Sequence, residues 1–201
     1  AALESETKMH HNGHSMDPDE SLIGSFANML LRYQIDSSDW SSDVGGWSLP
    51  KSAGLGAQLD YVFARTMGQV MQKNKDAARR SLTELESVAG KVKEIEIKRA
   101  DPDPTYRVRP DIVLLEARAL VSELENDLPV AEKFLREAVA LEETLPIAFG
   151  PPTIDKPTHE LLGEFLMRRD RKDEARAAFE KALSRAPGRR LPTAALLTIS
   201  N

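Results

Sequence analysis

The chain has no cysteine, so a disulfide, a thiolate metal site and a cysteine nucleophile are all excluded. Aromatic residues are scarce, at 5%. With abundant Ala, Leu, Glu and Arg, that scarcity favours helices. No apolar run approaches the ~20 residues a helical membrane span needs, so no membrane partner is expected. There is no excess of positive charge. The formal net charge of −5 argues against general nucleic-acid binding. The opening AALESETK lacks the pattern of a signal peptide and has no initiator Met. The chain therefore reads as a fragment or a processed form. Its compartment stays open, with the cytoplasm slightly favoured and export retained as an alternative.

What is present is helical punctuation. Lys156 to Gly188 reads as two amphipathic helices joined by a tight turn. Pro157 suits a first helical position, where its missing N–H is no loss. Leu161, Leu162, Phe165 and Leu166 recur at helical spacing. The polar run from Arg168 to Asp173 is the turn. Ala175, Ala178, Phe179, Ala182 and Leu183 make one face of the second helix, and Pro187-Gly188 stop it. Gly163 is expected to let a neighbouring backbone come close.

Leu162-Gly163, Ala175, Phe179, Ala182 and Pro187 resemble the signature of the tetratricopeptide repeat, with its Leu-Gly pair and Ala…Phe…Ala…Pro ladder. The departures are His159 for a usual Trp, Leu166 for a Tyr and Asp170 for a turn Gly. Ala131, Leu135 and Ala138 keep the same four-and-three spacing, 44 residues earlier. That is an internal repeat, and the extra length falls in the loop from Thr144 to Asp155. The last ninety or so residues resemble the C-terminal end of a group of bacterial tetratricopeptide proteins of undefined activity, through the same ladder, Phe149-Gly150-Pro151-Pro152 and His159 to Glu164. The resemblance implies the C-terminal part of a longer protein and supplies no catalytic residues.

Elsewhere the reading is by periodicity and breakers. Residues 1–16 form a polar tail with His10, His11 and His14. No distal ligand accompanies these histidines, so a metal site is not expected. Asp17-Pro18 opens a helix to about Ile35, with Leu22, Ile23, Phe26, Leu30 and Tyr33 as its apolar stripe. Residues 36–52 are a loop holding Trp40 and Trp47. These tryptophans either pin the loop to the helices or offer aromatic contacts to a ligand. Helices follow over about 53–72 and 76–98, the second with Ile95 on its apolar face. Gly54-Leu55-Gly56 is not a nucleotide-binding loop, because no strand precedes it and Leu59 replaces the third glycine. Residues 99–110 read as a proline-rich loop, Asp111 opens a helix to about Glu125, and another runs over 130–143. Pro192 to Ser200 closes the chain as a capping helix.

Charge is uneven: residues 1–60 carry nine acidic and three basic groups, while 164–190 carry nine basic and five acidic. Ordinary solvated helix faces account for this, and a basic surface for an acidic partner is the sharper alternative.

His159-Glu160 could begin a zinc-protease motif, but the second His is replaced by Gly163. Neither an enzyme nor a cofactor is expected. The expectation is an all-α array of antiparallel helical hairpins, a tetratricopeptide-like α-solenoid. A degenerate pair occupies 17–98 and better-formed repeats occupy 111–201. Its expected role is binding a protein or peptide through the groove lined by the first helix of each pair. The resemblance places Glu116, Glu123, Glu160, Glu164, Met167 and Arg168 there, with His159 beside them. Two alternatives stand beside it. One is a structural or self-associating segment with a filled groove. The other is a small-ligand protein with Trp40, Trp47 and His159 around a pocket.

Overall fold

A computed structural model describes residues 18–40, 48–50, 52–98, 100, 103–147 and 154–200. Among them are eight helices and no strand: α1 Pro18–Ser37, α2 Leu55–Met71, α3 Lys75–Lys98, α4 Pro104–Glu125, α5 Leu128–Glu143, α6 Thr158–Met167, α7 Lys172–Arg185 and α8 Arg190–Ser200. The protein is all-α. Each helix packs on the next, and α2, α4, α6 and α8 also touch in succession. The histidine tail, Asp17, Trp47 and Phe149 to Pro152 lie outside the described residues.

Three hairpins, α2–α3, α4–α5 and α6–α7, end their first helix in the same way. Lys73, Asn126 and Asp170 adopt left-handed backbones with φ of 58°, 70° and 56°. In each, that residue's N–H bonds the carbonyl three back, and the next N–H bonds the carbonyl five before itself, at 2.9–3.1 Å. This is a Schellman closure, which satisfies carbonyls left over at a helix end. Asn and Asp tolerate the left-handed region, which is how Asp170 stands in for glycine.

Counting from these turns puts three ladders in register. Ala131, Leu135 and Ala138 match Ala175, Phe179 and Ala182, and all six are buried. Ala78, Leu82 and Leu85 of the first pair fall on the same steps, with Ala78 and Leu85 fully enclosed. The first pair, degenerate by its residue types, thus shares the geometry of the others. One apolar cluster runs from Leu31 through Phe63, Leu120 and Leu135 to Phe179.

Four expectations are corrected. Helix α4 starts at Pro104, not Asp111. The Asp103 side chain accepts the Thr105 N–H at 2.8 Å, a cap strong enough to set the start. Pro110 then lies inside the helix and is buried. The buried face of α1 is also rotated from the expected stripe. Ala27, Leu30, Leu31 and Ile35 are buried, whereas Leu22 and Tyr33 are 69% and 49% exposed. In α3 the exposed residue is Ile95, and Glu96 is buried. What approaches Gly163 is a ring rather than a backbone: a Cβ there would meet Phe179 at 2.6–2.8 Å.

Candidate functional site

The segment that opens α6 gathers most of the buried charge. Asp155 is almost wholly enclosed and receives three side chains. Asn28 donates at 3.1 Å and Arg32 at 2.8 Å, both from α1, and Arg109 of α4 donates at 3.1 Å. Arg109 also pairs with Asp60 of α2. Burial pushes the Asp60 carboxyl above its ordinary range, against the opposing pull of Arg109.

One residue on, the Lys156 ammonium is buried and donates to Glu160 at 2.8 Å and to Glu164. Burial opposes its charge, but the two carboxylates outweigh burial and hold its pKa up. Glu160, with no exposed surface, also accepts from Arg189 at 2.7 Å. Burial works against its ionisation too, and Lys156 and Arg189 together hold its pKa down. Arg189 lies 3.9 Å from Asp36 of α1, and Arg190 donates to the Asp36 carbonyl. Helix α1, which packs on α2, is thus also tied to the segments that open α6 and α8.

Glu116 is the exception. It is fully enclosed, and among the described residues no cation bonds it. One oxygen accepts the Thr158 hydroxyl at 2.7 Å, and the other has no hydrogen-bond partner. Glu142 takes the Thr158 N–H at 2.7 Å. Desolvation, chiefly, raises the Glu116 pKa well above the ordinary carboxyl range. A raised folded-state pKa stabilises fully below the unfolded value, and that contribution is lost as pH rises through the folded value. Glu116→Gln is therefore expected to leave stability unchanged near pH 4. It should raise stability relative to the parent progressively toward pH 9, as read from urea midpoints across that range.

The residues expected in a groove separate into two groups. Glu116 and Glu160 are interior and cannot meet a partner; their carboxylates are consumed by or enclosed within the fold. His159 is buried as well, with Nε2 3.1 Å from Glu143, and burial lowers its pKa. The second group reaches solvent. Glu123 accepts from Arg168 Nε and Nη2 at 2.8 Å each and from Arg169 at 3.0 Å. Arg168 is exposed, while Met167 and Glu164 are partly so. Arg169 stacks over Phe165 at 5.1 Å.

Trp40 packs on the core beside Gly68, and its carbonyl accepts from Gln72 at 2.6 Å. That is the pinning arrangement. The pocket beside His159 is bounded by Glu142, Leu145, Ile154 and Arg185, and Trp40 is not in its wall. Its volume of about 20 Å³ is that of a water site rather than an organic ligand's. Sequence reading missed Asp60, Arg109, Asp155, Lys156 and Arg189. A signal was present in Asn28, Arg32 and Asp36, which recur every four residues on α1.

Fold and site together define an all-α protein of helical hairpins with ion pairs gathered around the segment that opens α6. No family model matches the chain, and neither a curated protein nor a solved structure matches it.

Proposed function

We propose that this chain is a tetratricopeptide-like interaction module that binds a protein or peptide partner and carries out no chemistry of its own. The observation that carries the reading is the threefold recurrence of one hairpin. Lys73, Asn126 and Asp170 close it with the same bonds, and an Ala-led ladder follows each turn. Repeated hairpins of this kind build extended surfaces rather than closed pockets. The partner-facing residues on this reading are Met167 and Arg168, with Glu123 and Glu164 beside them. Affinity capture with the full chain tests it, run in parallel with the Met167→Ala/Arg168→Ala double variant. The exposed Arg168–Glu123 pair is worth only about 0.2–1 kcal/mol, so the variant should keep its fold by circular dichroism. At least one captured protein should bind the variant ten times more weakly or worse. Identical capture by both chains would overturn the reading.

A second reading is favoured by the ties of α1 to Asp155 and Arg189. On it, the inner face is filled and the chain serves packing or self-association. Light scattering after size exclusion decides between them: a stable dimer at micromolar concentration supports the second reading, and a monomer the first.

A further inference from the structure

Helix α1, like α8, is left over by the repeat register. It belongs to none of the three hairpins. It runs in the same direction as α2: Ala27 clusters with Ala53 and Ala57 at the start of α2, and Trp40 meets Gly68 near its end. An antiparallel hairpin partner would run the other way.

Three stripes run along α1. Ala27, Leu31 and Ile35, one turn apart, are buried. Asn28, Arg32 and Asp36, one position on, make the polar contacts. The first two donate to Asp155 ahead of α6, and Asp36 meets Arg189 and Arg190 at the start of α8. Leu22, Met29 and Tyr33 on the outer side are exposed. The two ties differ: Arg32, 36% exposed, bonds the buried Asp155 at 2.8 Å, whereas Asp36 is 63% exposed and lies 3.9 Å from Arg189. The Asp36 contact is the one that is weak and screened by salt. Asp155 also has a partner outside α1, Arg109.

We infer that α1 is a displaceable occupant of the inner face, and that the face beneath it accepts in its place an amphipathic helix of a partner protein with the same chemistry. That helix carries aliphatic residues at four-residue intervals, an amide and a guanidinium one position on, and a carboxylate in its last turn. Asp155 reads the amide and the guanidinium, and Arg189 reads the carboxylate. The inference rests on the interaction-module reading, but it concerns a different surface from Met167 and Arg168.

Two measurements on the full chain test it. In hydrogen exchange, α1 amides should exchange ahead of those in α2 to α7, and faster as salt rises. A labelled peptide with the sequence of residues 18–37 should bind the Asp36→Arg variant at least tenfold more tightly than the parent chain. The same peptide carrying Arg32→Glu should not bind. Exchange of α1 only through global unfolding would overturn the inference, and so would a folded Asp36→Arg variant that takes up no peptide. The Met167→Ala/Arg168→Ala chain should retain this displacement equilibrium, so failure at Met167 and Arg168 and failure on the face beneath α1 are read separately.

Discussion

Glu160→Ala is expected to destabilise the chain by about 3–5 kcal/mol, the usual cost of removing one partner from a buried ion pair. The carboxylate has no exposed surface and serves two cations, Lys156 and Arg189. Without it, among the described residues, buried Lys156 keeps Glu164 and Arg189 keeps its longer approach to Asp36. The pH dependence should change with it. The Glu160 pKa is held below its ordinary value in the fold, so its contribution is present above the ordinary carboxyl range and is lost as pH falls through the folded value. The variant should therefore show less acid destabilisation attributable to this group. Urea midpoints at pH 7 and pH 4 measure both effects. A loss under about 1 kcal/mol at pH 7 would mean that water reaches these charges.

Gly163→Ala is expected to cost about 1–3 kcal/mol, as overpacking of a filled core does. The gain in helix propensity, about 1 kcal/mol, offsets part of this. The added methyl meets three atoms of the Phe179 ring within 2.8 Å. Phe179 is itself 1% exposed and has nowhere to move. In the preceding hairpin the same register positions hold Ala119 and Leu135, a larger residue opposite a smaller one. Phe179→Leu should therefore rescue Gly163→Ala in part. A double-mutant cycle should return a coupling of about 0.5–3 kcal/mol, the range for residues in contact. Additive losses would show that the two positions relax independently.

The helices and the last two ladders were legible because both are local. Ala131, Leu135 and Ala138 declare themselves by spacing alone, and so do Ala175, Phe179 and Ala182. Proline was legible only in part. Pro104 and Pro110 read as loop residues, yet Asp103 caps a helix that contains both. The interior charges were not legible. Glu116 and Glu160 sit on helix faces whose burial depends on what crosses them. What meets them comes from other parts of the chain: Thr158 reaches Glu116 across 42 residues, and Arg189 reaches Glu160 across 29. The rotation of α1 has the same origin. Its apolar stripe was read from Leu22 and Tyr33, but tertiary contact selected Ala27, Leu31 and Ile35.

The clasp between Asp36 and the Arg189–Arg190 pair also has a mechanical meaning. A stack of hairpins in which each unit touches its neighbours is a linear spring, free to fray from either end. Joining its first helix to the start of its last turns the spring into a closed loop. Bending or stretching then loads this junction together with the Asn28 and Arg32 contacts to Asp155. Once the junction parts, α8 keeps its packing on α6 and α7 and the Arg189–Glu160 bond just ahead of it.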